Sequence, residues 1–590
     1  MEKDIYKIME LVGNKNRYII FIIIMNLILW INVSVLNYSL AFIEAKPEVE
    51  YNDGSETKSA KLNYEICDKY DYIVTKDYKY SIITDFKDGT ECNKLKNSLI
   101  GTFHSLGVLL GNFLFHVVTG KFGCKRILYV FHFIHSIFLL VMIFYKNYYF
   151  FQVLNCLIMY LTRTIITTCL VISNEIIDLK YKALISSFIN SGNGLGGMFY
   201  ALMYYLLEDW RYVFIVGVCI TFVSGVIILI FYHDSLAYCL IKKDYDKFYN
   251  YLLYIAKKNN REKEFEEGIN NNEEYKKCLE QLKSYTLTDK NEDEEENKKE
   301  TQKVDEKNEE NNYEKNVQKT EENVLNINDN PSSHRKLQDE KNDNVKENNT
   351  QLNENNNNTN SNPQKNKKIK GSLIQLFKYP SVRYTTIILS VGWFCNSTLF
   401  YGLVIGLKTL KGSQYRNTAI LYLCDCFAYN ISGLFSNSKL GRKKSLQIFT
   451  FGYGIFCFVM FISFDYNKDV VLAFYFCARL SMICSFCVYY SFAFESYPLS
   501  VANIGYSLNS ATCSVAGIVI PFIIEYLEEK YVFLIYGIFG VVCTGLFFFL
   551  KETRGQVRED NIKEIEEELK KEAKVEIGSS NFPKCRYTQK

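Results

Sequence analysis

The chain has 590 residues, of which 48% are hydrophobic, 15% aromatic and 23% charged, with a formal net charge of +3. That near-neutral balance gives no basis for nucleic-acid binding, and the aromatic content excludes a wholly disordered polymer. The mean hydropathy is −0.07, but apolar residues gather in blocks of about twenty and the charge collects between them, which excludes a single water-soluble globule.

Taken in order, residues 1–17 are a polar N-terminal stretch, followed by six apolar segments at 18–42, 98–119, 126–145, 148–173, 183–206 and 211–232. Each approaches the ~20 residues a helix needs to cross the hydrocarbon layer, where backbone polar groups can be satisfied only internally. The first has ~25 apolar residues, more than the apolar core of a signal peptide, and is read as a retained helix. Residues 233–285 repeat Phe248, Tyr251, Leu252, Ile255 and Ala256 among Lys and Glu, the pattern of amphipathic helices under a membrane. The Asn/Glu/Lys-rich stretch 286–370, with four asparagines at 355–358, buries too little apolar surface to order itself and is expected to be disordered. Within 371–550 six more spans follow at 384–407, 415–436, 445–464, 470–493, 504–527 and 531–550, then a tail, 551–590, with one amphipathic stretch at 556–573. The basic residues Lys121, Lys125, Arg126, Lys180, Lys182, Lys439, Arg442, Lys443 and Lys444 fall in alternate short loops, which puts both termini and the middle loop in the cytoplasm.

Most of the 18 cysteines lie inside spans, where Cys acts as a small hydrophobe. The pairs Cys424/Cys426 and Cys484/Cys487 have no His or carboxylate cluster in sequence to complete a metal site. Cys67 and Cys92 sit in the extracytoplasmic loop 43–97, where a disulfide and two free thiols are both open readings.

Two tight basic turns stand at equivalent places, Gly120-Lys121-Phe122-Gly123-Cys124-Lys125-Arg126 after the second span and Ser438-Lys439-Leu440-Gly441-Arg442-Lys443-Lys444 after the eighth. Gly accepts positive φ and the cations can meet a helix carboxyl end or a carboxylate. Glu175, followed by Lys182, and Glu495 close the fourth and tenth spans, where ion pairs with these turns would form and break as an inward-side gate. Six spans, a cytoplasmic linker and six spans resemble the major facilitator superfamily, an all-α membrane fold of twelve helices in two six-helix bundles. The two turns resemble that superfamily's cytoplasmic gating motif, with Gly120 and Ser438 at its usual acidic position, which weakens the expected carboxylate bridge.

Five further segments in register resemble the organic cation and organic anion transporter family: Trp393-Phe394-Cys395-Asn396-Ser397-Thr398-Leu399-Phe400-Tyr401-Gly402-Leu403, Glu208-Asp209-Trp210-Arg211, His233-Asp234-Ser235, Glu495-Ser496-Tyr497-Pro498 and Lys551-Glu552-Thr553-Arg554-Gly555. The resemblance spans all twelve helices and leaves out 286–370. It implies alternating access to one central site, with gating residues Gly123, Lys125, Arg126, Glu175, Lys182, Gly441, Arg442, Lys443, Glu495, Glu552 and Arg554. Helix eleven of that family often carries the charge that matches substrate, but Ser514 and Gly517 stand there, so neither diagnostic charge is present. Arg479 falls where the family has Lys, which favours anions or zwitterions.

Ionisable groups inside spans are costly and are functional candidates by default, here Arg163, Asp425 and Arg479. Asn193 and Asn396 must find polar partners, and Trp393, Phe394, Phe400, Tyr401, Tyr489 and Tyr490 can stack on an organic solute, although aromatic stripes also face lipid. The substrate set expected is Trp393, Asn396, Tyr401, Arg479, Arg163, Asn193, Tyr490 and Ser514. His104, His116, His132 and His135 could relay protons, but lone histidines on packed helices usually serve packing. Gly192, Gly194, Gly196 and Gly197 read as close helix packing, with no strand before them to make a phosphate loop. The expectation is a carrier of small organic ions or metabolites in a lipid bilayer, monomeric, driven by a substrate gradient or a coupled ion, without cofactor, metal, nucleic acid or catalysis. The alternatives are a sugar or nutrient carrier of the same fold and a transporter-shaped receptor or scaffold.

Overall fold

The computed structural model describes residues 2–12, 17–52, 57–76, 78–86, 89–177, 179–283, 373–498 and 501–554. The stretch 286–370 and the tail segment 556–573 lie outside the described residues.

The first span is built from two helices, α2 (Arg17–Val33) and α3 (Val35–Ile43), joined at Ser34. Then come α5 (Lys94–Phe122), α6 (Cys124–Phe144) and α7 (Tyr148–Ile176). The fifth span, read as one segment, is two helices: α8 (Leu179–Asn190) and α9 (Gly192–Leu207) meet at Ser191. Four glycines directly follow that break, and Gly weakens helix continuity while opening room for close neighbours. A Cβ on Gly196 would lie 2.7 Å from Tyr38 Cε2, and one on Gly197 only 2.1 Å from Tyr422 Cγ. The sixth span is α10 (Trp210–Phe231). The second bundle comprises α16 (Pro380–Ile405), α17 (Gln414–Asn437), α18 (Gly441–Ser463), α19 (Lys468–Glu495), α20 (Ala502–Tyr526) and α21 (Glu529–Phe547). Among the described residues eleven spans are long and apolar enough to cross a bilayer, the first taken across its joint at Ser34, and the broken fifth is the twelfth.

The two ends of the bundle differ. At one end, here the sheet end, the loop 43–97 folds into three antiparallel strands, β1 (Glu48–Asn52), β2 (Thr57–Lys61) and β3 (Tyr72–Lys76), in the order β2-β1-β3. Val49, Leu62 and Ile66 make its small core, and Cys67 on the short helix α4 (Tyr64–Lys69) is disulfide-bonded to Cys92. Three helices of the first bundle that start at this end are capped by their own preceding residue: Asn93 accepts from Lys96 N–H at 3.0 Å, Asn147 from Phe150 N–H at 3.1 Å and Asp209 from Arg211 N–H at 2.9 Å.

At the opposite end, here the turn end, α1 (Glu2–Val12), α11 (Leu236–Ile241), α12 (Tyr245–Lys258), α13 (Glu262–Asn271) and α14 (273–283) pack beneath the first bundle. Ile5, Ile8, Met9 and Val12 of α1 join Phe248, Tyr251, Leu252, Ile255 and Ala256 of α12 in one buried cluster. The Tyr18 and Tyr251 hydroxyls lie 3.1 Å apart, and Asn259 donates to Val12 O at 3.1 Å. Residues 2–12 had no helical reading in the sequence. Their apolar residues recur every three or four positions over a short stretch, too brief for a span window to register. The short α15 (Leu373–Lys378) leads into the second bundle.

Candidate functional site

The two basic turns are built alike. Gly123 has φ +87° and Gly441 φ +78°, the left-handed region in which a Cβ strains the backbone. Each turn exposes the first N–H groups of the following helix, and a carboxylate from a distant segment receives them. Asp234 accepts from Lys125 N–H at 3.1 Å; Glu552 accepts from Arg442 N–H at 2.9 Å and Lys443 N–H at 3.1 Å. Negative charge at a helix N-terminus meets the positive end of the helix dipole. A Cβ on either glycine would crowd that carboxylate, at 2.8 Å from Asp234 Oδ2 and 2.6 Å from Glu552 Oε2.

The remaining gate residues are not symmetric. In the second bundle Glu495 forms an ion pair with Arg442, Lys443 donates to Phe548 O at 2.8 Å, and Arg554 donates to Ser438 O. In the first bundle Glu175 accepts from Ser235 Oγ at 2.6 Å and Leu236 N–H at 2.8 Å, capping α11, while Arg126 is exposed. Burial raises the Glu175 carboxyl above its usual range, and the bonds from Ser235 and Leu236 oppose it. Lys182 belongs to α8, but its side chain lies outside the described residues.

Between the bundles, Asp425 and Arg479 are both fully buried. Arg479 Nε and Nη2 each donate to Asp425 at 2.7 Å, Nη1 donates to Phe400 O at 3.0 Å, and the guanidinium lies 4.6 Å from the Phe400 ring centre. Asn193, from the first bundle, donates to Asp425 at 3.5 Å and accepts from Tyr38 at 3.1 Å. Arg479 was read as the positive charge facing an anion; that charge is matched inside the protein by Asp425.

Arg163 is placed differently. It is half-buried, its Nε donates to Asn112 Oδ1 at 2.7 Å, and Asn112 donates to Ser514 Oγ at 3.4 Å, a chain running from α7 through α5 to α20. Its neighbours are the phenols of Tyr401, Tyr490 and Tyr506 and the thiol of Cys513, with no ion-paired carboxylate among the described residues. Trp393 stands edge-on to Tyr490 at 4.7 Å and to Tyr489 at 5.1 Å, which extends the aromatic wall. Asn396 is turned away into the second bundle, donating to Ser485 Oγ at 3.3 Å. Thus Arg163, Ser514, Tyr401, Tyr490 and Trp393 come together, and Asn193 and Arg479 form a second, self-satisfied cluster. Asn112 and Tyr506 were missed. A lone amide or phenol in a span carries no spacing signal.

The histidines are held by local partners. His132 Nδ1 lies 2.6 Å from Leu128 O, His135 Nε2 lies 3.1 Å from Thr162 Oγ1 and His104 Nε2 lies 3.3 Å from Asn37 Oδ1; the His116 side chain lies outside the described residues. No group of three or more His, Cys, Asp or Glu suited to a metal occurs among the described residues.

The chain is 30% identical over 208 residues to "Solute carrier family 22 member 15-like" of Xenopus tropicalis, 34% of this chain and 42% of that protein. It is 27% identical over 220 residues to "Solute carrier family 22 member 3" of Rattus norvegicus, 36% of this chain and 38% of that one. It therefore spans about two fifths of the length of these curated relatives, and they bear out the resemblance to the organic cation and organic anion transporters. Among solved structures, the proton:xylose symporter XylE bound to 6-bromo-6-deoxy-D-glucose matches with a TM-score of 0.53 at 14% identity, over 92% of this chain and 98% of that one. The inward-open xylose transporter XylE from E. coli matches with a TM-score of 0.53 at 12% identity, over 91% and 98%. At such identity the likeness concerns the fold alone. The model of the Major Facilitator Superfamily matches residues 80–521, and with two six-helix bundles carrying paired glycine turns the chain belongs to the major facilitator superfamily.

Proposed function

We propose that this protein is a secondary carrier that moves a small organic anion or zwitterion across a membrane by alternating access. The observation that carries the reading is Arg163: a half-buried guanidinium between the bundles, set among phenols and an amide, with its charge unmatched by a carboxylate among the described residues. A cation in that setting is costly unless a ligand supplies the counter-charge. The tyrosines and Trp393 offer flat apolar surface for the organic part of the solute. A neutral sugar would leave Arg163 uncompensated, which disfavours the sugar-carrier alternative. In this reading the basic turns, both termini and 286–370 face the cytoplasm, the protein works as a monomer without catalysis, and a solute gradient or a coupled ion supplies the driving force.

Purified full-length protein in proteoliposomes tests this, using organic cations, anions, zwitterions and sugars at two pH values. Saturable accumulation of an anion or zwitterion is expected, falling at least tenfold in Arg163→Gln and partly retained in Arg163→Lys. Binding without accumulation would indicate a receptor, and sugar uptake unaffected by Arg163→Gln would overturn the substrate class.

A further inference from the structure

At the sheet end, charges from both bundles converge in a nearly dry cluster. Lys408, in the short turn after α16, donates to Glu525 at 2.6 Å and to Glu44 at 3.2 Å. Glu525 comes from the last turn of α20, and Glu44 directly follows α3. The side chains of Glu44, Glu525 and Lys408 are only 4%, 6% and 10% exposed. The loop 43–97 closes over them. Tyr64 of α4 donates to Glu525, Asn97 donates to Tyr64 at 2.8 Å, and Lys46 stands 3.9 Å from Glu525 and 3.2 Å from the Tyr64 ring centre. Lys61, on the edge strand β2, reaches across to Lys408 O at 3.3 Å. The Cys67–Cys92 disulfide ties α4, and with it Tyr64, to the turn that opens α5.

A loop that merely decorates the surface has no reason to bury charge against the opposite bundle. Burying ions costs hydration that their mutual attraction recovers only when every partner is in place. Separating the bundles here would return two lysines and two carboxylates to water, so the cluster marks the closed state without making it irreversible. Other bonds between the bundles lie nearby or at mid-depth: Ser98 Oγ to Pro521 O at 3.4 Å, Thr102 Oγ1 to Ile518 O at 3.1 Å, and Gln414 to Ala41 O.

We infer that Glu44, Lys408 and Glu525, capped by Tyr64 and Lys46, are the latch that holds the sheet end of the central site shut, and that the folded loop 43–97 is a working part of this gate. The inference rests on the two-sided access proposed above.

Hydrogen exchange read by mass spectrometry on the full chain in lipid nanodiscs, with no solute added, tests it. Lys408→Met and Glu525→Gln should speed exchange several-fold at the sheet-end turns, residues 94–100 and 520–526. They should at the same time slow it at the turn-end segments 118–124 and 502–508, as the bundles rock the other way. Lys408→Arg should keep the parent pattern. Unchanged exchange, faster exchange at both ends, or faster exchange confined to the sheet end would each overturn the latch. Failure of the parent protein to accumulate any solute in vesicles would overturn the carrier reading instead.

Discussion

Asp425 and Arg479 hold each other through both carboxylate oxygens in a fully buried site, so each is the other's counter-charge there. Removing one partner strands a buried charge and is expected to cost about 3–5 kcal/mol, while removing both leaves a neutral packing site. Asp425→Asn or Arg479→Met should therefore lower the thermal midpoint in detergent strongly, and Asp425→Leu with Arg479→Met should restore most of it. If the double variant is as unstable as the singles, the pair contributes more than mutual neutralisation. Lys46 carries a pH signature. Burial lowers its ammonium from 10.5 to about 7; Glu525 and Glu44 oppose that shift, and Lys408 and Lys94 add to it. Because the folded-state value is depressed, protonation of Lys46 costs folding stability: the cost is absent above about 10.5, grows as pH falls towards about 7 and is constant below. Lys46→Met should accordingly raise thermal stability over the parent more at pH 7 than at pH 10. An equal gain at both would show that Lys46 does not titrate in this window.

At the scale of elements, α6 and α18 begin at left-handed glycines and are capped by carboxylates far away in sequence, Asp234 and Glu552. Loss of such a cap costs about 1 kcal/mol. Asp234→Ala and Glu552→Ala should each speed amide exchange in the first turn of the helix they cap and leave the other turn unchanged. Exchange that changes in neither variant would reduce these contacts to incidental ones. The turns themselves were legible, since Gly and clustered cations repeat at matching places. The asymmetry was not: Glu495 pairs with Arg442, whereas Glu175 caps α11, and nothing in the spacing of Glu175 distinguishes a guanidinium partner from a helix N-terminus. The break at Ser191 was hidden for a related reason, because hydropathy averages over glycines that the packing of Tyr38 and Tyr422 requires.

For the whole molecule, the proposed rocking of the bundles requires the contact between α5 and α20 to part at the sheet end. A Cβ on Gly101 would lie 2.6 Å from Pro521 Cγ, a ring that cannot swing aside. Gly101→Val should wedge this contact and reproduce the exchange pattern expected of Lys408→Met, faster at the sheet end and slower at the turn end. A parent-like pattern in a folded Gly101→Val protein would mean that the two bundles do not move as rigid bodies about this seam.

The sequence by itself determined the number of spans, the two-bundle family fold, the amphipathic face of α12 and the glycine turns, because each follows from local periodicity or from a backbone angle that few residues accept. Only the tertiary structure decided which intramembrane cation has a carboxylate partner among the described residues and which has none. Arg163 and Arg479 look alike along the chain, and their difference depends on Asp425 and Asn112 arriving from other helices. The same holds for Lys408, Glu44 and Glu525, which are ordinary span-end charges until folding brings three distant segments together and excludes water.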